Sequence, residues 1–266
     1  MIVIGELLNT SLKRAREAVA SRDTERVKQL ARRQAEAGAN FIDVNAGTNV
    51  ENETGDLVWL IETVQEAVDL PLCIDTANPA ALGAALAAAK AHRPLVNSIT
   101  GEKERFEAVL RLVEEHNTML VALTLDDSGM PKTAEARIEV GTRLVERILE
   151  TGLAHEDLFV DPLVQPVGVN PEQGVHVLKT IRAMKEQFPE IHVICGLSNI
   201  SFGLPQRKLL NQCFLPMAVA AGLDAVIVNP LDDRMIKHIY ASEALTGRDE
   251  WCMNYLSASR SGLLTD

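Results

Sequence analysis

Short apolar runs alternate with longer amphipathic stretches along the whole chain. Eight runs predict β-strands: Ile2–Glu6, Phe41–Asn45, Leu72–Asp75, Leu95–Ser98, Met119–Thr124, Leu158–Asp161, His192–Cys195 and Ala225–Asn229. Each run is followed by a stretch whose apolar residues recur at helical spacing. Because the strands are almost continuously apolar, the pattern predicts an α/β protein with a parallel sheet closed into a (β/α)8 TIM barrel.

A doubly wound open sheet is the alternative architecture for the same alternation. It usually needs fewer strand–helix units, and no G-x-G-x-x-G fingerprint follows the first strand here. The sequence contains no low-complexity segment and no linker rich in Pro, Gly or Ser. We therefore expect a single domain over residues 1–266.

Helix signals support the same reading. The stretch Glu53–Asp69 carries on one stripe the apolar residues Leu57, Leu60, Ile61, Val64 and Val68. Asn78, directly before a proline, is typical of a helix N-cap, and Asn170 repeats that signature. Gln173 is spaced from Asn170 as in a capping box, so a helix is predicted to begin there.

Composition limits the class of partner. Hydrophobic residues make up 47% of the chain but aromatic residues only 4%, so the core is expected to be mainly aliphatic. A net charge of −11 and a pI of 5.1 disfavour a nucleic acid or an anionic membrane. No apolar run is long enough to predict a membrane span. None of these properties disfavours a small acidic ligand held by a local arginine.

The start of the chain and the cysteines indicate a cytoplasmic protein. Met1–Ile4 already reads as a strand, without the basic and long apolar regions of a secretory signal. The four cysteines, Cys73, Cys195, Cys213 and Cys252, are widely spaced and form no C-x-x-C pair. We expect them to be reduced, packed residues and predict neither a disulfide nor a metal site.

Polar side chains mark the ends of the predicted strands. They are Glu6, Asn9, Asp43, Asn45, Asp75, Asn97, Asp161, Ser198, Asn199 and Asn229. Any one of them is explained more simply as a cap or turn residue. Together they predict a polar, uncharged-to-acidic barrel mouth, which is where α/β barrels place their chemistry. Such a mouth suits a flat heterocycle with an amino-amidine edge, such as a pterin.

Other chemistries lack the residues that they need. The lysines fall on helices or loops, whereas a Schiff-base enzyme needs a desolvated lysine. The six histidines form neither an H-x-H nor an H-E-x-x-H motif. A sugar phosphate would need a glycine-rich nest, and the eighth strand ends instead in Asn229-Pro230.

Six motifs occur in order along successive strands: GELLN at 5–9, DVNAG at 43–47, IDT at 74–76, VNSIT at 96–100, DP at 161–162 and GLSNISFG at 196–203. They span essentially the whole chain, and GLSNISFG is the most specific. With them the chain resembles the pterin-binding methyltransferases. These are the methyltetrahydrofolate:corrinoid-protein methyltransferases and the folate domain of cobalamin-dependent methionine synthase.

The resemblance implies a role for particular positions. Asp75, Asn97 and Asp161 would hydrogen-bond the pterin edge, and Asn199 and Asp75 are the predicted catalytic residues. Asn199 would face N5 of the folate. Gly196 and Ser198 would shape the turn of Asn199, and Arg207 would contact the ring or the glutamate tail. Further candidates for the pocket lining are Glu6, Asn9, Asp43, Asn45, Phe202 and Asn229; position 202 is polar in some members of the family.

The implied activity is methyl transfer between N5 of 5-methyltetrahydrofolate and the cobalt of a corrinoid (cobalamin). The sequence has no D-x-H-x-x-G corrinoid motif, so we expect a separate corrinoid protein, and the family implies a homodimer. A dihydropteroate synthase is the nearest alternative, although its seventh-strand lysine and eighth-strand Arg-x-His are missing. A non-catalytic folate binder and, outside pterin chemistry, a barrel isomerase stay open.

Overall fold

In the computed structural model, which describes residues 1–265, parallel strands form a closed barrel in the order of the chain. The strands are β1 (Ile2–Asn9), β2 (Phe41–Asn45), β3 (Leu72–Asp75), β4 (Leu95–Ile99), β5 (Met119–Leu123), β6 (Leu158–Asp161), β7 (His192–Gly196) and β8 (Ala225–Val228). The predicted (β/α)8 barrel is confirmed.

The helices pack around this barrel. They are α1 (Lys13–Ala20), α2 (Thr24–Glu36), α3 (Glu53–Gln65), α4 (Pro79–Ala88), α5 (Lys103–His116), α6 (Ala134–Leu149), α7 (Gln173–Gln187), α8 (Arg207–Ala221), α9 (Asp233–Leu245) and α10 (Met253–Arg260). Their apolar faces and the outward side chains of the strands form one continuous core. None of the helices within residues 1–265 is long and apolar enough to cross a membrane.

Strand β1 is longer than predicted, and a glycine explains how it continues. Its register against β2 shifts between Gly5 and Leu8. At this point Gln34 of α2 accepts a hydrogen bond from the backbone N–H of Leu7 at 2.9 Å. A Cβ on Gly5 would lie 2.5 Å from Oε1 of Gln34, so only glycine admits this contact. The irregular strand then continues to Asn9 at the barrel mouth.

The two predicted caps have different outcomes. Asn78 caps α4, where its Oδ1 accepts from the N–H groups of Ala80 and Ala81. The cap predicted at Asn170 is wrong, because this side chain accepts from the N–H of Glu172 in a turn before the helix. Helix α7 begins three residues later, at Gln173, whose side chain points to α6 rather than back to a cap.

Two successive layers of side chains fill the barrel axis. The lower layer is apolar and consists of Ile4, Phe41, Cys73, Leu95, Val121, Phe159, Ile194 and Ala225. Because side chains alternate along a strand, the residue two positions later faces the axis again. These residues form the upper layer: Glu6, Asp43, Asp75, Asn97, Leu123, Asp161, Gly196 and Ile227.

Candidate active site

A cavity of about 860 Å³ opens at the carboxyl ends of the strands. All eight residues of the upper layer line it, and they therefore form its floor. The walls come from the loops that follow the strands and include Asn9, Asn45, Ser198 and Asn199. The structure thus gathers most of the predicted site residues around one cavity of a size suited to a small organic ligand.

Two neighbouring carboxyl groups share one amide. Nδ2 of Asn9 lies 3.1 Å from Oδ2 of Asp43 and 3.1 Å from Oδ2 of Asp75. Burial raises the pKa of Asp75 to about 6, and burial together with the negative charge of Asp75 raises the pKa of Asp43. This side of the floor therefore holds protons more readily than exposed carboxylates do.

Asn45 and Asn97 occupy this same half of the mouth. Asn45 fixes the geometry, because its Nδ2 donates to the backbone oxygen of Asp75 at 3.0 Å and its Oδ1 accepts from Gly47 N–H at 3.0 Å. Asn97 belongs to the floor and presents its amide to the cavity. The two asparagines therefore differ, since Asn45 organises loops and Asn97 faces the ligand space.

Asp161 lies on β6, on the opposite side of the barrel from Asn45 on β2. It accepts the backbone N–H of Leu163 at 2.8 Å and also that of Gly196. Burial raises the pKa of Asp161 to about 7, although these N–H groups and the charge of Arg137 act in the opposite direction. A carboxylate fixed in this way suits an amidine edge, which offers two N–H groups side by side.

Asn199 lies on a short 3₁₀ helix, Leu197–Ser201, directly after β7. Its side-chain amide packs against Gly196, where a Cβ would lie 3.1 Å from Nδ2. Arg207 fixes the turn, because its Nη2 donates to the backbone oxygen of Ser198 at 2.8 Å and its Nε to Oγ of Ser201 at 3.1 Å. None of the described residues hydrogen-bonds the Asn199 amide, so it is available to a ligand.

Three predicted site residues lie outside the cavity lining. Arg207 supports the Asn199 turn from behind, and its guanidinium stands 5.7 Å from the ring of the exposed Phe202. Asn229 is used in the loop after β8, where its Oδ1 accepts the N–H of Leu231 at 2.9 Å. Strand β8 instead presents Ile227 to the cavity, because Asn229 lies just beyond the end of the strand.

Two arginines that were not among the predicted site residues lie behind the floor. Arg137 of α6 is completely buried, and its Nη2 donates to Oε1 of Gln173 at 2.5 Å. Arg105 of α5 donates to the backbone oxygen of Ser98 at 3.0 Å and is the cation that acts on Asp75. A signal for Arg137 existed, since it falls on the apolar stripe of α6.

The described residues contain no group of three or more His, Cys, Asp or Glu side chains arranged to hold a metal ion.

A family model described as pterin binding enzyme matches residues 5–229, and this range contains all the cavity-floor residues. The chain belongs to the pterin-binding enzyme family. The resemblance carried by the six motifs is thereby confirmed.

Two relatives define the branch of the pterin-binding family. The chain is 38% identical to a methylcorrinoid:tetrahydrofolate methyltransferase from Eubacterium limosum, covering 98% of this chain and 97% of that protein. It is 31% identical to methionine synthase from Mycobacterium tuberculosis H37Rv over 86% of this chain, which corresponds to 20% of that protein.

Solved structures of the family share the fold. Dihydropteroate synthase from Xanthomonas albilineans in complex with 7,8-dihydropteroate superposes with a TM-score of 0.69 and 21% identity. The match covers 92% of this chain and 93% of that one. At this identity the similarity establishes the barrel and leaves the reaction to the site residues.

Proposed function

We propose that this protein is a methyltransferase that moves the N5 methyl group between 5-methyltetrahydrofolate and the cobalt of a corrinoid. The observation that carries the proposal is the unpartnered Asn199 amide above a floor of buried carboxyl groups. The similarity to the Eubacterium limosum enzyme over almost its whole length supports the same reaction. The proposed pterin-binding domain covers residues 1–266.

The floor supplies the contacts that a pterin needs. We assign the 2-amino and ring N–H groups to Asp161, whose carboxylate is already fixed by backbone donors. Asn97 and Asp75 complete the edge, since an amide both donates and accepts and a raised pKa lets Asp75 do either near neutral pH. Ser198 and Gly196 set the turn on which Asn199 stands, beside the ring.

The chemical difficulty is the leaving group. The methyl group is bound to an amine nitrogen, which leaves poorly unless positive charge develops on N5. Asn199 can hydrogen-bond N5 and stabilise the protonated or protonating form, although an amide cannot supply the proton itself. In the reverse direction N5 attacks the methyl group of the methylated corrinoid, and the same contacts serve both directions.

The corrinoid is supplied by a partner protein. The cavity is open at the carboxyl ends of the strands, so a corrinoid presented from above can reach the folate N5. The Eubacterium limosum relative, which matches over 97% of its own length, is named for transfer between a methylcorrinoid and tetrahydrofolate. A barrel of this size is thus sufficient for the folate half of the reaction.

We also propose that the chain forms a homodimer in the cytoplasm. Helix α8 carries the exposed residues Leu209, Cys213 and Met217 at a spacing of four, which places them on one face. An exposed apolar stripe of this kind is typical of an interface. Light scattering should give twice the chain mass, and Met217→Glu should convert the dimer to a monomer.

The direct test follows cobalt by absorbance. Purified protein is mixed with 5-methyltetrahydrofolate and chemically reduced cob(I)alamin, and the conversion of Co(I) to methyl-Co(III) is recorded. Conversion that depends on the protein supports the proposal. If folate binds but no conversion occurs, either with free cobalamin or with a cognate corrinoid protein, the protein is a non-catalytic folate binder. Absence of folate binding contradicts the proposal.

A further inference from the structure

The methyl transfer has a stoichiometric requirement that Asn199 does not meet. When the methyl group leaves N5, tetrahydrofolate with an N5–H bond is formed, so a proton must reach N5. An amide has no proton that it can give up at neutral pH. If the proposed function holds, on which this inference rests, another group of the chain must supply that proton.

The order of the strands makes two carboxyl groups of the floor the candidate proton donors. Gly196 is paired with Ile227 on β8, and β8 is paired with β1, which carries Glu6. On its other side, β7 is paired with β6, which carries Asp161. Glu6 and Asp161 are therefore the carboxyl groups nearest to the strand that leads into Asn199. Asp43 and Asp75 lie on the far side of Glu6 and share the Asn9 amide.

These two carboxyl groups differ in the hydrogen bonds that they already make within the protein. Asp161 accepts two backbone N–H groups, from Leu163 and Gly196, which favours the ionised form that binds a pterin edge. Glu6 is partly buried, lines the cavity and makes no side-chain hydrogen bond with another of the described residues. Its carboxyl group is thus free to exchange a proton with a ligand.

Arg207 connects Glu6 to the Asn199 turn. The guanidinium donates to the backbone oxygen of Ser198, one residue before Asn199, and its charge also acts on Glu6. Asp43 on β2 is the carboxyl group whose charge interacts with that of Glu6, and the carboxyl groups of Glu53, Asp75 and Asp161 line the same cavity. Ile227 on β8 is uncharged. Glu6 is therefore placed between an acidic cluster and the turn that faces N5.

We propose that Glu6 is a catalytic residue that delivers the proton to N5 in one direction and removes it in the other. Towards the corrinoid, the cobalt electron pair forms the C–Co bond, and the C–N5 bond breaks with its electron pair left on N5. The O–H bond of Glu6 breaks as the N5–H bond forms, which leaves a carboxylate. Towards folate, the Glu6 carboxylate takes the N5 proton.

The ionisation of Glu6 suits this exchange. Burial raises its pKa from 4.5 to about 7, with Arg207 acting in the opposite direction. A general acid is most effective when its pKa is close to the working pH, and such catalysis contributes about 100-fold to 10,000-fold. Both protonation states of Glu6 are thus populated at neutral pH.

The test compares Glu6→Gln with the exposed control Glu107→Gln. At saturating folate we expect Glu6→Gln to lower kcat towards cob(I)alamin about 100-fold and folate affinity less than about threefold. The wild-type kcat should fall as the pH rises above about 7, and this fall should be absent from Glu6→Gln. Glu6→Asp keeps an acid and should keep the pH dependence at a lower rate.

A second readout is independent of turnover. A carboxyl group with a raised pKa binds more protons in the folded than in the unfolded protein, so its contribution to stability decreases from pH 4.5 to about 7. The decrease in Tm over this range should therefore be smaller for Glu6→Gln than for wild type.

The outcomes separate the two proposals. A wild type that neither binds folate nor transfers methyl contradicts the proposed function and this inference with it. A Glu6→Gln protein that transfers methyl at the wild-type rate and pH profile overturns the inference alone. Loss of folate affinity by more than about tenfold also overturns it, because Glu6 then acts in binding. If Glu6→Gln does not fold, the pH profile of Glu6→Asp decides.

Discussion

The two layers inside the barrel come from the same eight strands, yet they differ in almost every physical property. The lower layer is aliphatic and aromatic, and its side chains are almost completely buried. The upper layer, two residues further along each strand, carries four carboxyl groups and one amide, all of which line the cavity, and of these Asp43 is almost completely buried. A step of two residues therefore separates the part that stabilises the fold from the part suited to chemistry.

The upper layer holds its carboxyl groups at an energetic cost that the lower layer does not have. Burial raises the pKa of Glu6, Asp75 and Asp161 into the range of about 6 to 7, so these groups are held in an environment that disfavours their charge. The apolar layer beneath them and the helix core supply the stability that tolerates this arrangement. Arginines behind the floor offset part of the cost without entering the cavity.

The largest expected effect is in the lower layer. Phe159 is buried and stacks on His192 with ring centroids 4.6 Å apart. Phe159→Ala should lower the free energy of unfolding by about 3–5 kcal/mol, because it leaves a cavity that the closed barrel cannot fill. Urea unfolding measures this loss. A loss as large for Asp161→Asn, two residues along the same strand, would contradict the division of roles between the layers.

The next effect is kinetic and lies just above the floor. Asn199→Ala removes the amide assigned to hydrogen-bond N5 and stabilise the charge that develops there, so methyl transfer should slow about 100-fold to 1,000-fold. Folate affinity should weaken only modestly, because Asp75, Asn97 and Asp161 remain. Stopped-flow absorbance of cob(I)alamin and titration calorimetry separate the two effects. Unchanged turnover would remove Asn199 from the mechanism.

A smaller effect is expected for binding at the upper layer. Asp161→Asn keeps the shape but loses the charge that receives the pterin N–H groups, so folate affinity should fall by about 1–3 kcal/mol, or roughly 5-fold to 150-fold. Titration calorimetry measures the dissociation constant. Normal binding by both Asp161→Asn and Asn97→Ala would show that the pterin is oriented differently.

The smallest expected effect is that of replacing Arg137, one of the two arginines behind the floor. Arg137→Met removes the cation that acts on Asp161, and the pKa of Asp161 should rise further above 7. Folate affinity at pH 7 should then fall about five-fold to tenfold and recover as the pH is raised. Arg137→Lys keeps a positive charge and is the matched control. An affinity loss that does not depend on pH would indicate a purely structural role.

Local patterns determined most of the strands and the polar mouth. The apolar runs that predicted Leu158–Asp161 and Leu72–Asp75 also placed Asp161 and Asp75 at the ends of their strands, where an α/β barrel has its mouth. The motifs identified the family because they occur in order on successive strands. Asn78 was predicted correctly since a cap is made within three residues of the chain.

What the sequence could not determine depends on contacts between distant residues. Gln173 carried a local capping signal, but the side chain is used by Arg137, 36 residues earlier, which only packing of α6 on α7 brings near. Asn229 resembled the other strand-end residues, yet β8 ended one residue too early to point it inward. Only barrel closure, which joins β8 to β1, leaves a single strand between Glu6 on β1 and β7, the strand that leads into Asn199. Sequence thus determined the strands and the polar residues at their ends, and the tertiary structure decided which of these residues face the axis and which of them are neighbours.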